Sequence, residues 1–342
     1  MKVCLVTERE NEFNIISDGQ CDTNDVNIAA ILGANKHLFS GEKDLNKFDG
    51  YDLYIVKMSK IREKYETEWM QIVHILKNRY PNSLVAIYQE AEVDWLMFRS
   101  WQEQVELIKA VKKCDIFLTH NSIDEGFFSK LTWHDRVFHV RTPLPIEKLD
   151  QYIKTLEYKI QKNKILFGST LDDRSYGLFG YVVASRFKKI YNEVNLIQYH
   201  RTTYADSKER NESFMREVGE NFEALGYAPW FDFAERMSEM RISMNLMLAA
   251  AAGRDAIMFA ALGIPHIGNY RLEVMKNCFP GLAIDPLDCN KAYELLEKLY
   301  KDKDFYIIVQ ETAKLKVKEY HSMNGVRSYL REQFKNRLGI EI

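Results

Sequence analysis

The stretch RISMNLMLAAAAGRDAIMFAALGIPHIGNYR, residues 241–271, decides how this chain is read. Residues 242–247 are apolar enough for a buried strand. Four alanines and Gly253 follow Leu248, so the loop there carries almost no side chains. A helix then starts at Arg254-Asp255 and ends at Gly263, where the missing Cβ suits a left-handed C-cap. Pro265 stops any continuation, and a strand over 264–267 follows at once. A bare loop between strand and helix lets a ligand approach the backbone closely. The unpaired amides and positive pole of the helix favour an anion at that point. Arg254 suits a diphosphate and Asp255 suits ribose hydroxyls, although an aspartate here also serves as an ordinary helix cap.

A second stretch has the same design. In NKILFGSTLDDRSYG, residues 163–177, an apolar run reaches Gly168-Ser169-Thr170 and a helix is expected from about Tyr176. Gly168 and Ser169 offer backbone to a phosphate, and Arg174 offers charge-assisted hydrogen bonds. A plain strand-to-helix turn with a solvated arginine is the simpler alternative. Asp172-Asp173 is one carboxylate pair without further ligands, which does not make a metal site.

Working outward, apolar strands alternate with amphipathic helices along the whole chain. Strands are expected at 2–6, 52–58, 83–88, 114–118, 164–168, 194–198, 242–247, 264–267 and 282–284, with a shorter extended piece from 138. Helices are expected at 24–33, 65–79, 100–113, 146–162, 176–192, 206–224, 232–240, 254–262, 289–301 and 303–319. This order argues for parallel sheets covered by helices on both faces. The expected fold class is α/β, with two doubly wound Rossmann-like domains. A chain of 342 residues suits two such cores. The prolines of Thr142-Pro143-Leu144-Pro145 favour an extended linker. The expected domains are 1–150 and 151–320, with a C-terminal helix in 321–342 that returns to the first.

Composition narrows the class. The 46% hydrophobic and 28% charged shares are those of a globular protein. No apolar run is long enough to span a bilayer, and the first residues enter a strand pattern without a signal-peptide layout. Five scattered cysteines without a C-x-x-C pair fit reduced, inert thiols and a cytoplasmic location. Residues 1–150 hold 19 Lys/Arg against 24 Asp/Glu, a net of −5, and the remainder nets +3. Neither half is as basic as a nucleic-acid-binding domain normally is.

The segment Ala260-Ala261-Leu262-Gly263-Ile264-Pro265-His266-Ile267 resembles the "A-x-G-x-P-V-I" ending found in GT-B glycosyltransferases. Pro286-Leu287-Asp288 and the two helices after it are similar to that family's tail. The resemblance covers roughly 160–320 and, in architecture only, the first half. It implies two Rossmann-like domains facing a cleft, with a nucleotide-sugar, expected to be a UDP-sugar, in the second and the acceptor in the first. The donor-binding residues it points to are Gly168, Ser169, Arg174, Gly253, Arg254 and Asp255. No cofactor or metal is expected beyond the donor itself. One departure is plain: the large retaining group carries a glutamate on the donor ribose where this chain has Met258.

Val85-Ala86-Ile87-Tyr88-Gln89-Glu90 is similar to the strand that leads to the acidic base of the phage DNA β-glucosyltransferases, which also open their second domain with a G-S loop. Chemistry gives Glu90 an argument of its own. Inverting displacement at an anomeric carbon needs a base for the acceptor hydroxyl, and a carboxylate just beyond a strand tip is well placed. Glu92 and Asp94 are rivals. His120, and His200-Arg201, follow strands and rank lower. Trp95, Phe98 and Trp101 are either core or a platform for a sugar or base. The expected activity is transfer of a sugar from a nucleotide-sugar to a hydroxyl, with a glycan or small-molecule acceptor preferred to DNA. Transfer to a hydroxymethylated DNA base, a nucleotide-sugar epimerase or hydrolase, and a non-catalytic nucleotide-sugar-binding protein remain alternatives.

Overall fold

The structure is a computed structural model that describes residues 1–7, 24–39, 42–58, 68–89, 93, 100–132, 134–155, 163–168, 177–199, 222–226, 228, 230–250 and 252–341. Glu90, Glu92, Asp94, Trp95, Phe98, Ser169, Asp172, Asp173, Arg174, His200 and Arg201 lie outside the described residues. Chain contacts form two units, Met1–Leu144 with Met323–Ile342, and Pro145–Ser322.

The elements in order are β1 (Val3–Thr7), α1 (Asn24–Leu32), β2 (Asn35–Leu38), β3 (Leu53–Lys57), α2 (Glu68–Arg79), β4 (Leu84–Tyr88), α3 (Trp101–Lys113), β5 (Ile116–Thr119), α4 (Ser122–Thr132) and β6 (Val137–His139). They continue with α5 (Ile146–Ile153), β7 (Lys164–Phe167), α6 (Gly177–Ile190), β8 (Asn195–Tyr199), β9 (Phe222–Leu225), α7 (Trp230–Ser238), β10 (Ile242–Asn245), α8 (Arg254–Leu262) and β11 (His266–Asn269). The chain ends with α9 (Glu273–Cys278), β12 (Ala283–Ile284), α10 (Cys289–Lys301), α11 (Lys303–His321) and α12 (Met323–Leu338).

Each unit holds a six-stranded parallel sheet, ordered β2-β1-β3-β4-β5-β6 in the first and β12-β11-β10-β7-β8-β9 in the second. The two doubly wound sheets expected from the alternation are therefore present. Strand β1 shows why the apolar runs were continuous: all five residues are buried, because both faces are covered. In the first unit, Cys4, Val6, Tyr54, Val56, Val85 and Ile87 meet α2, α3 and α4 through Trp69, Val73, Leu107 and Phe128. The alternate residues Val3, Leu5, Leu53, Ile55, Ala86 and Tyr88 meet α1 through Ile28, and α12 through Val326, Leu330 and Phe334. The C-terminal helix is thus a layer of the first unit. Tyr329 reinforces it, with its hydroxyl donating to the carbonyl of His139 (3.1 Å) and its ring under Arg141 (4.0 Å).

Several local expectations change. The unit boundary falls between Leu144 and Pro145, earlier than 150. Helix α5 belongs with the second unit: Tyr152 packs on Phe231 (4.6 Å) and donates to Glu235 (3.1 Å), and Asp150 pairs with Lys318 (2.6 Å). That helix ends at Ile153, short of 162. Residues 222–224, read as the end of a helix, form strand β9, because pairing with β8 overrides the helix-forming Glu-Ala-Leu content. Strand β2 was missed because Asn35-Lys36-His37 is polar, as suits an edge strand. Helix α4 was missed too. Its start is marked by Asn121, whose Oδ1 accepts from the Asp124 amide (2.9 Å).

Phe334, on α12, is fully buried against Phe138 of β6, with ring centroids 5.3 Å apart. Phe334→Ala is expected to destabilise the first unit by about 3–5 kcal/mol. Denaturant unfolding checks this, and a loss below about 1 kcal/mol would mean that α12 is not part of that core.

Candidate functional site in the second unit

The second sheet runs away from β7 in both directions: β8 and β9 on one side, β10, β11 and β12 on the other. At such a reversal the two strand-to-helix loops diverge and leave a crevice beyond the carboxyl ends. Here those ends are Gly168 after β7 and Asn245 with its following loop after β10.

Gly168 is buried and has a φ of 91°, a conformation L side chains rarely adopt. Its N–H donates to the Met244 carbonyl (2.6 Å), so it extends the ladder between the strands before the chain turns off. Gly253 stands at the N-cap of α8 with φ 67°. A Cβ there would lie 2.8 Å from Val274 Cγ1, so both the backbone and the space demand glycine. Gly263 closes the same helix in the left-handed conformation, with its amide on the Ala260 and Phe259 carbonyls.

Two asparagines that sequence reasoning missed organise the loop between β10 and α8. Asn245 Nδ2 donates to Asp255 Oδ2 (2.9 Å). Asn269, fully buried at the end of β11, donates from Nδ2 to the carbonyls of Met247 (2.9 Å) and Leu248 (3.2 Å). Its Oδ1 accepts from the Arg271 amide (2.9 Å). The signal was an asparagine closing each of two adjacent strands, where polar groups sit beyond the core. Asp255 uses its other oxygen to accept from the Ala256 amide (2.9 Å), so the carboxylate ties the strand end to the first turn of α8. Arg254 occupies the first position of that helix and is half-buried.

Beneath this loop lies a cavity of about 10 Å³, room for one water, bordered by Gly168, Asn245, Asp255, Phe259 and His266. A nucleotide does not fit in a cavity of that size. His266 is buried, bonds Ser243 Oγ through Nδ1 (2.8 Å) and stacks on Phe259 (5.2 Å). Burial pushes its pKa down to about 4 against a weaker opposing pull from Asp255, so the ring is neutral. Met258, at the position of the glutamate in the retaining group, is buried and apolar, so no carboxylate takes that place. Met237, Met244 and Met247 are likewise core.

The carboxyl edge of the first sheet has its own row of polar residues buried where water would ordinarily solvate them: Thr7, Lys57, Gln89, His120 and Asn121. His120 Nδ1 lies 3.3 Å from the Gln89 carbonyl, which can only accept, so Nδ1 carries a proton. Trp101 is 71% exposed at the start of α3 and is not core. Cys4 and Cys278 are buried, with burial pushing both thiols up to about 12, as inert cysteines require. Among the described residues no group of three His, Cys, Asp or Glu could hold a metal, and no helix is long and apolar enough to cross a membrane.

No family model matches the chain, and no curated protein sequence matches it. Solved structures do. Sucrose-phosphate synthase from Thermosynechococcus elongatus has a TM-score of 0.71 at 11% identity, covering 98% of both chains. HepE from Anabaena in complex with UDP has 0.69 at 10% identity, covering 98% of this chain and all of that one. An α-glucosyltransferase in complex with UDP and a 13-mer DNA has 0.65 at 13% identity, again over 98% of both. This chain has the GT-B fold. Its second unit, with the strand order reversing at β7, is the half that the motif around Gly263-Ile264-Pro265 pointed to.

The neutral, buried His266 makes stability depend on pH. Its folded value of about 4 lies below the ordinary 6.5, so the unfolded state takes up a proton that the folded state refuses. The stabilisation is complete above pH 6.5 and is lost as the pH falls toward 4. Denaturation of the protein and of His266→Asn across that window checks this: the slope should appear in the first and be weaker in the second. An unchanged slope in the variant would remove His266 as its source.

Proposed function

We propose that this chain is a glycosyltransferase that moves a sugar from a UDP-sugar to an acceptor hydroxyl. The observation that carries the reading is the reversal of strand order at β7, with Gly168 closing β7 and the loop that Asn269 and Asp255 hold following β10. The likeness to structures that contain UDP supports the same reading. The donor diphosphate lies against Gly168, Ser169 and Gly253 and the N-terminus of α8, with Arg174 and Arg254 supplying positive charge. Asp255 orients the first turn of that helix and faces the ribose.

The reaction is an inverting displacement. Glu90 takes the proton of the acceptor hydroxyl as its oxygen bonds to the anomeric carbon. The bond from that carbon to the diphosphate breaks, and the electron pair leaves with UDP. Amides and arginines at the phosphates stabilise the developing charge. The donor needs no bound metal in this scheme.

The acceptor is a glycan or a small molecule. A second reading, transfer to a hydroxymethylated base in DNA, is favoured by one observation: α-glucosyltransferase structures with the same fold hold DNA as well as UDP. The charge argument against it weakens once the C-terminal helix joins the first unit. That unit then holds 22 Lys/Arg and 24 Asp/Glu, a net of −2, where residues 1–150 alone net −5. Binding to duplex DNA that falls steeply with salt would favour this second reading.

Calorimetry with UDP tests the donor site. Arg174→Ala and Arg254→Ala should each weaken binding by about 1.5–3 kcal/mol. Glu90→Gln should lower turnover by roughly 10²–10⁴-fold and leave UDP affinity unchanged. Normal affinity in both arginine variants would remove the donor assignment, and a near-normal rate in Glu90→Gln would move the base to Glu92 or Asp94.

A further inference from the structure

Asp124 is a buried carboxylate, 3% exposed, in the first turn of α4. No step of the proposed reaction uses it. One of its oxygens gathers two donors from a different part of the chain. Oδ2 accepts from the side-chain amide of Gln89 and from the backbone N–H of Val93 (3.1 Å). Its own amide is capped by Asn121 Oδ1 (2.9 Å), and the Asn121 carbonyl accepts from Thr119 Oγ1 (2.7 Å). The backbone that carries Asp124 is therefore anchored to the end of β5.

Gln89 and Val93 are the described residues that flank Glu90. Gln89 is anchored a second time, through its amide on the Leu118 carbonyl (2.9 Å) and its carbonyl beside His120 Nδ1 (3.3 Å). Val93 is also packed against the core of the first unit. A buried carboxylate is costly to desolvate unless it is well bonded, so a clamp of this kind needs a return. The bonds of Oδ2 run to Gln89 and Val93, not to α4.

We propose that Asp124 is a positioning residue: it bridges Gln89 and Val93 and so holds the backbone that carries the acceptor-side base. The proposal rests on the glycosyltransferase reading for its functional half, and on geometry alone for the bridge. Ionised, the carboxylate has only acceptors to offer, which matches the two N–H donors. Alanine in its place removes the acceptor of both bonds, whereas asparagine can keep one oxygen where Oδ2 stands and so keep that acceptor without the charge.

The test compares Asp124→Ala and Asp124→Asn with Thr132→Val, a buried polar substitution at the far end of α4 where Thr132 bonds only local carbonyls. Hydrogen exchange reads the bridge without any substrate. Amides in 89–93 should exchange about tenfold faster or more in Asp124→Ala, and less so in Asp124→Asn, while amides of β4 and β5 change no more than in Thr132→Val. Turnover is read with UDP-glucose and water as acceptor. Asp124→Ala should lose about tenfold or more in kcat with KM for UDP-glucose unchanged, Asp124→Asn should lose less, and Thr132→Val should lose little. The acid limb of the kcat profile, which reports the base, should also move in Asp124→Ala and not in Thr132→Val. Exchange in 89–93 of Asp124→Ala no faster than in Thr132→Val would overturn the bridge. Faster exchange with unchanged kcat would overturn its positioning role. Failure of the unaltered protein to bind UDP would instead count against the glycosyltransferase reading, and the exchange result would still decide the bridge.

Discussion

The reversal of strand order at β7 is the constraint on which the second unit depends. A parallel strand must be reached by a crossover over one face of the sheet, and crossovers share one hand. Strands added on opposite sides of β7 therefore send their helices to opposite faces. The helix after β7, α6, packs with α10, whereas the helix after β10, α8, packs with α5, α7 and α11. The loops leading to α6 and α8 must part, and the carboxyl ends of β7 and β10 are left with backbone facing outward. Gly168 and Gly253 follow from that geometry, since each sits in a left-handed conformation at the mouth of one of these loops.

The same reasoning explains why polar residues collect where they do. A sheet buried on both faces tolerates polar side chains only at its ends, where they can reach loop backbone or one another. Asn245, Asn269 and Asp255 do this in the second unit, and Gln89, Asn121 and Asp124 in the first. Asn269 uses both amide functions to hold loop backbone. Such residues cost little once satisfied and fix loops that have few side chains of their own.

The central strands and the loop-helix-strand unit at 241–271 were legible because local chemistry and tertiary context agree there. Continuous apolar runs, a bare loop, a glycine stop and a proline are all readable within one window. Strand β9 was not legible, since Phe222-Glu223-Ala224-Leu225 becomes a strand only by pairing with β8. Nor was the origin of the bonds to Asp255 and Asp124, because Asn245 and Gln89 lie 10 and 35 residues away from the carboxylates they bond. The acidic cap at Asp255 could be seen from sequence as either ligand or structure. Its bonds to Asn245 and Ala256 give it a structural task whatever else it holds.

The account stands on where a nucleotide binds. A crystal structure of the protein with UDP measures that directly. The expected result is a diphosphate within hydrogen-bond distance of backbone amides in the loop that begins at Gly168 and at the N-terminus of α8, outside the small cavity beside His266. UDP bound to the first unit, or no UDP at saturating concentration in an otherwise ordered crystal, would contradict it.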